Sequence, residues 1–224
     1  MGRASGEGVV ALDVGTSAVR AAFVTAAAEV SADTRVERAS VGGGEHFDAE
    51  KLFQEVLAAL ARLADQTAGP HPTPAAIAIS AHIGTVAVDT DLRPVEDAGG
   101  WSDPRGVREL LEIDEQVQTD VLRTSGRPAL TGGALAYALA LRRTPERAAR
   151  VRYLLSPKDF LIARLTGEIV TDTVDAAYTL VSDVAARTWN TAVLDALGLD
   201  PAWLPRQAAP SEIVGRLHRA AAQA

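Results

Sequence analysis

The 224 residues are enough for one large domain or two small ones and for a real core, and 47% hydrophobic against 23% charged residues is an ordinary globular balance. A net charge of −7 without a basic stripe argues against nucleic acid and anionic membrane surfaces as partners. It leaves room for a phosphate held by backbone N–H groups and a metal. The chain has no cysteine, which excludes disulfides, zinc–thiolate sites and cysteine nucleophiles. No apolar run is long enough to span a bilayer, and residues 1–8 have no apolar signal core. The expected location is the cytoplasm.

Val9 to Val14 and Val19 to Val24 are short apolar runs around Gly15, Thr16 and Ser17, which predicts a tight β-hairpin. A third strand is expected within Glu29 to Val41, then a turn at Gly42 to Gly44. Asp48 reads as an N-cap. Leu52, Phe53, Val56, Leu57, Leu60, Leu63 and Ala64 follow at helical spacing, up to about Thr67. Gly69 to Pro74 reads as a stiff linker. Ala75 to Ser80 is expected as a buried strand, Val86 to Asp89 as another, and Asp89 to Arg93 as a hairpin turn. A helix is predicted over Gly106 to Val117, with more over Gly133 to Arg142, Pro145 to Arg150, Pro157 to Leu165 and Thr191 to Leu197. Strands and helices in this order predict a mixed α/β sheet.

Three segments carry chemistry. In the first, Asp13 ends a strand and Gly15-Thr16-Ser17 follows at once. Glycine lets the backbone approach an anion, the turn N–H groups and hydroxyls of Thr16 and Ser17 can donate to phosphate, and the carboxylate can hold Mg²⁺ through water. The same residues also suit a plain hairpin turn. The second segment is Ile77-Ala78-Ile79-Ser80-Ala81-His82-Ile83-Gly84, with Gly100-Trp101-Ser102-Asp103-Pro104-Arg105 after it. An indole can support the apolar face of a polyol while polar neighbours take its hydroxyls. Trp101 reads equally as a core residue, Asp103 as a cap and Arg105 as a surface charge. The third segment runs Ser156-Pro157-Lys158-Asp159-Phe160-Leu161, Arg164-Leu165-Thr166-Gly167-Glu168, then Thr171-Asp172-Thr173-Val174-Asp175. Taken singly, Asp159, Asp172 and Asp175 read as first-turn and capping residues. His46, His71 and His218 read as solvated.

Together these segments resemble the N-terminal half of the FGGY family of carbohydrate kinases, within the actin-like ATPase superfamily, over most of residues 9 to 217. Xylulokinases and gluconokinases are the nearest resemblance. It implies an α/β, ribonuclease H-like lobe with a mixed five-stranded sheet, flanking helices and a helical insertion. It implies ATP and Mg²⁺ as cofactors and a sugar, sugar acid or polyol as substrate. Asp13, Gly15, Thr16 and Ser17 would face phosphates, with Asp13 on the metal; His82, Trp101 and Asp103 would face the sugar. The lobe is expected over 9–218, between a disordered 1–8 and a fraying tail at 219–224.

Three departures stand out. Family members resembling xylulokinase read Gln-Met-His-Gly where this chain has Ala81-His82-Ile83-Gly84, so the histidine comes one place early. One place along a strand is the opposite face. The Ala134-Leu135-Ala136-Tyr137-Ala138-Leu139 segment lacks the lysine and tryptophan of its family counterpart. The Gly-Gly-x-Asp turn that carries the family's catalytic base, and the second, ATP-binding lobe, have no match here. The expectation is therefore a sugar-binding lobe with weak or no activity alone, or a non-catalytic lobe that binds a sugar or a partner. Self-association or a separate C-terminal lobe is the expected protein partner.

Overall fold

The hairpin comes first in the chain. In a computed structural model that describes residues 8–38, 45–67, 74–129 and 133–218, β1 (Gly8–Val14) pairs antiparallel with β2 (Ala18–Thr25). Alternation puts Val10, Leu12 and Val14 in the core and turns Val9 and Asp13 outward. β3 (Val30–Glu37) adds to the outer side of β2. After β4 (His46–Phe47), α1 (Ala49–Gln66) crosses back and β5 (Pro74–Ala81) returns parallel to β1. The sheet order is β3-β2-β1-β5.

The helix α1 starts where Asp48 accepts from the Lys51 N–H at 2.9 Å and ends at Thr67. Its buried face, with Leu52, Phe53, Val56 and Leu63, packs on the core side of this sheet. Each such side chain contributes roughly 1.5–3 kcal/mol by leaving water.

A second sheet carries the excursion from the end of β5. β6 (Gly84–Val88) pairs with β7 (Ala98–Gly100), which pairs with β4, and on its other side with β8 (Tyr153–Leu155). Both sheets thus have four strands among the described residues, where one sheet of five was expected. The α/β lobe is as expected; β5 has no outer strand among the described residues. Burial of β5 also differs from expectation: Ala75, Ala76, Ala78 and Ser80 are exposed.

The helix expected over Gly106 to Val117 is two helices. α2 (Val107–Leu111) stops, and Asp114 caps α3 (Glu115–Ser125) by accepting from the Gln116 N–H at 2.8 Å. α4 (Ala134–Leu141) is apolar all round and accordingly buried, with Leu110, Val121, Leu154 and Leu194 about it. α5 (Pro145–Ala148) leads into β8, and α6 (Pro157–Thr166) follows behind a Ser156–Asp159 capping box. Arg164 at the end of α6 pairs with Glu50 at the start of α1, its guanidinium 4.2 Å from the Phe53 ring centroid. β9 (Val170–Asp172), α7 (Thr173–Tyr178), β10 (Ser182–Asp183), β11 (Thr188–Trp189), α8 (Thr191–Ala196) and β12 (Arg206–Ala208) complete the fold. Among the described residues, no helix is long and apolar enough to cross a membrane. The expected turn at 42–44, linker residues 69–73, His71 and both termini (1–7 and 219–224) lie outside the described residues.

Candidate active-site lobe

The turn between β1 and β2 is closed by the Gly15 N–H donating to the Ala18 carbonyl at 2.9 Å. It is held from behind by Arg38. That residue's N–H donates to the Ser17 carbonyl at 2.9 Å and its Nη1 to the Gly15 carbonyl at 2.6 Å. The guanidinium is nearly buried and pairs with the equally buried Glu55 of α1 at 2.9 Å. Nothing in the local sequence marks Arg38 for this role.

With the turn held, Thr16 and Ser17 are exposed, and so is Asp13. Asp13 sits opposite Arg20 in the hairpin register and accepts from its Nη1 through Oδ2 at 2.9 Å. Oδ1 has no partner among the described residues. One exposed carboxylate beside two hydroxyls fits a hydrated Mg²⁺ held through water, not a dedicated cage, and magnesium normally keeps several waters. No group of three or more carboxylate, imidazole or thiol side chains that could hold a metal occurs among the described residues.

His82 follows β5 directly. Its N–H donates to the Val14 carbonyl at 2.8 Å, which fixes it against the end of β1. Its ring meets Phe47 edge-on, centroids 4.9 Å apart, and Nδ1 lies 3.1 Å from the Ile83 carbonyl. Donation from Nδ1 to that carbonyl makes Nε2 the acceptor nitrogen, and Nε2 is buried with no partner among the described residues. Burial pushes the imidazole below its ordinary pKa; the Ile83 contact opposes this and Arg38 adds to it. The guanidinium of Arg38 is 5.9 Å from the Phe47 ring centroid, so one side chain touches both the turn and the platform for His82.

Gly100 pairs with Gly84 and leads into Trp101, which is 60% exposed and so is not a core residue. Asp103 is buried, and it does not cap α2, whose N-cap is Gly106. Its Oδ2 accepts from Arg105 Nε at 2.8 Å and Nη2 at 2.7 Å, and its Oδ1 from the Arg105 N–H at 2.9 Å. A Cβ on Gly99 would strike this carboxylate, so the close approach requires glycine. Arg105 is no free surface charge. It also reaches Glu96 at 3.2 Å and lies over the Tyr137 ring, whose hydroxyl donates to Glu96. Burial, then Glu96, pushes the Tyr137 phenol up. His46, expected in solvent, lies 3.5 Å from Asp103 Oδ1.

The segment from Ser156 to Asp175 forms a charge cluster that sequence reading resolved only as separate caps. Lys158 Nζ lies 2.5 Å from Asp159, 3.1 Å from Asp172 and 3.2 Å from Asp175. The Ser156 hydroxyl donates to Asp175 at 2.8 Å. Burial alone would lower the lysine pKa, but Asp159 and then Asp175 outweigh it and hold Lys158 charged. Asp172 does cap α7, accepting from the Val174 and Asp175 N–H groups. Asp175 is no cap. The signal in the sequence was one lysine among three aspartates spaced to return to it. A cleft beside the cluster is lined by Ile83, Ser156, Asp159, Thr171, Asp175 and Trp189. His82, Trp101 and Asp103 are not among its lining residues.

An exposed Asp-x-Gly-Thr hairpin opening a mixed sheet, with a long insertion after the parallel strand, defines a lobe of the actin-like ATPase class. The chain belongs to the FGGY family of carbohydrate kinases: residues 8–224 match that family's N-terminal domain. It is 30% identical to the xylulose kinase of Escherichia coli over 214 residues, 93% of this chain and 43% of the relative. A glycerol kinase of Sinorhizobium fredii is 29% identical over 211 residues, 88% of this chain and 42% of that protein. Among solved structures, a xyloylose kinase from Brucella ovis superposes with a TM-score of 0.85 at 26% identity, covering 94% of this chain and 45% of the other. The chain therefore spans less than half the length of these relatives.

Proposed function

We propose that the chain is the sugar-binding lobe of an ATP-dependent carbohydrate kinase, which moves the γ-phosphoryl group of ATP to a hydroxyl of a sugar, sugar acid or polyol in the cytoplasm. Gly15, Thr16 and Ser17 contact phosphate, and Asp13 holds Mg²⁺ through water. His82 and Trp101 face the acceptor, the indole as platform. Asp103 serves that side indirectly: its charge is spent on Arg105, and it fixes the bend that presents Trp101.

One observation carries the reading. Arg38 ties the Gly15 turn to the Phe47 platform of His82, so the phosphate side and the sugar side share one support. Phosphoryl transfer is largely positioning and charge neutralisation, so such a shared support suits it. The sequence contains no Gly-Gly-x-Asp turn, and the 224 residues alone are proposed to bind rather than turn over. Titration calorimetry with Mg·ATP and, separately, with ketoses, aldonates and polyols tests binding; a coupled ADP-release assay tests turnover. Binding of neither class of ligand would reject the reading, and robust turnover would reject the division of labour.

The departure at Ile83 favours a second reading for the acceptor. An isoleucine on the wall of the Ser156–Asp175 cleft, where xylulokinase-like members carry histidine, makes that cleft less polar, although His82 and Trp101 lie outside it. A less hydroxylated acceptor than xylulose, or a lobe that binds without transfer, fits that wall.

A further inference from the structure

Trp101 stands at the tip of a tight turn, which the Asp103 N–H closes by donating to the Gly100 carbonyl at 3.2 Å. Beside that turn lies a cluster of largely buried charges. The Arg105 guanidinium is held on every side. Its Nε and Nη2 grip Asp103, both Nη atoms donate to the Asp97 carbonyl at 3.2 Å, and its carbon lies 4.8 Å from the Tyr137 ring centroid. Glu96 meets the Nη1 end of that arginine. Its Oε1 takes Arg105 Nη1 at 3.2 Å and the Tyr137 hydroxyl, and its Oε2 takes Arg147 Nη1 at 2.6 Å. The Tyr137 hydroxyl is the single polar side-chain group in the α4 sequence Ala-Leu-Ala-Tyr-Ala-Leu-Ala-Leu, and the residue is buried. A polar group buried on an otherwise apolar helix costs stability unless it has a partner, and here the partner is Glu96. The chain after Arg105 is pressed onto the same helix: Gly106 has φ 76°, and a Cβ there would lie 1.7 Å from the Ala136 carbonyl oxygen.

We propose that Glu96 and Tyr137 are positioning residues for the indole of Trp101: they fix Arg105, Arg105 fixes Asp103, and Asp103 fixes the turn that carries the indole. For the acceptor this rests on the reading of Trp101 as the sugar platform. Neither residue touches the sugar. Each acts by holding the platform in place, and a misplacement of about 1 Å costs about a hundredfold where geometry decides. The Asp103–Arg105 pair is local and shapes the turn by itself. Glu96 adds what a local pair lacks, because its partners Tyr137 and Arg147 come from α4 and α5, 41 and 51 residues further along. It therefore sets where the turn stands against those helices. Arg147 holds the second oxygen of Glu96, which keeps the carboxylate aimed. Burial, then Glu96, keeps the Tyr137 phenol protonated, so its hydroxyl remains a donor at any ordinary pH.

Fluorine NMR on the 224-residue chain labelled with fluorotryptophan reads the indole directly. The three tryptophans give three resonances, and Trp101→Ala identifies one of them. Glu96→Ala should move the Trp101 resonance by more than its linewidth and leave those of Trp189 and Trp203 in place. In calorimetry with xylulose, gluconate and glycerol, the same variant should bind the acceptor that the native chain prefers about tenfold or more weakly, with Mg·ATP affinity unchanged. Tyr137→Phe keeps the ring on Arg105 and loses the hydroxyl, and should act in the same direction. Glu96→Gln keeps an acceptor for Tyr137 and Arg105 and should recover the native resonance, with circular dichroism confirming that all the variants fold. A Trp101 resonance that stays in place in both Glu96→Ala and Tyr137→Phe overturns the inference. So does an equal loss of sugar and Mg·ATP affinity, which would make Glu96 a general support of the fold. Native sugar affinity in Trp101→Ala would instead reject the platform reading, and the resonance would still decide whether Glu96 places the indole.

Discussion

The side chain of Arg38 reaches 23 residues back to donate to the Gly15 carbonyl at 2.6 Å. The contact makes the shape of a surface turn depend on a nearly buried arginine. Arg38→Ala would remove the support and leave Glu55 buried and unpaired. Breaking a buried pair from one side costs about 3–5 kcal/mol, and partial exposure puts this case at the lower end. Urea unfolding should show that loss, and calorimetry a matching loss of Mg·ATP affinity. Arg38→Lys keeps the charge but not the fork, and should recover stability better than nucleotide binding.

Asp13 should behave in the opposite way. Its pair with Arg20 is exposed on both sides, and such pairs contribute about 0–1 kcal/mol. Asp13→Asn should leave the unfolding midpoint nearly unchanged and reduce Mg²⁺-dependent ATP affinity by about tenfold or more. A variant that binds ATP in the presence of Mg²⁺ as tightly as the native chain would remove Asp13 from the metal's surroundings.

Lys158→Met would leave Asp159, Asp172 and Asp175 facing one another without a cation. The loss should be about 3–5 kcal/mol at neutral pH. For the native chain the lysine pKa is raised, so its contribution is present below the unfolded value of 10.5 and fades above it. In the variant the sign of the acid response changes: lowering the pH protonates the crowded carboxylates and relieves them. Unfolding curves at pH 5 and pH 8 should therefore show the variant recovering part of its deficit at pH 5. A deficit equal at both values would mean that the charges do not interact.

His82 should stay neutral through physiological pH. Its pKa lies below 6.5 when folded, so the unfolded chain takes up the proton first, and stability falls as pH drops below about 6.5. An NMR titration of the imidazole should show a midpoint below that of a free histidine.

Trp101→Ala should be nearly silent in stability, because the indole is already 60% exposed. Fluorescence quenching by a bound sugar should vanish in the variant, although Trp189 and Trp203 remain.

The parts of the fold written in local pattern were legible. The β1–β2 hairpin, α1 behind Asp48 and α6 behind Ser156-Pro157 each carry their own period and start signal. The split between α2 and α3 depends on Asp114 acting as a cap, which competes with an otherwise continuous helical period. β10 and β11 have two residues each, too few to show any period. β5 was misread for a different reason. Its composition is that of a buried strand, but burial depends on what lies beside it. In the site, Asp13 to Ser17 were legible because the residues are consecutive. Arg38 and the Lys158 cluster were not, since each is assembled by folding from residues whose local roles look ordinary.

The register of Val86 with Leu155 places the beginning and end of a long excursion side by side. The segment between them is pinned at further points: β7 pairs with β4, and the Leu135 N–H donates to the Thr179 carbonyl. Lengthening such an excursion costs little closure entropy, since that term grows only with the logarithm of length. The Arg164–Glu50 clasp lies outside that segment. A scaffold of this plan can lengthen or shorten one appendage while the Gly15 turn stays as it was. A chimera carrying a relative's residues between positions 89 and 152 tests how far that segment folds independently of the β1–β2 hairpin.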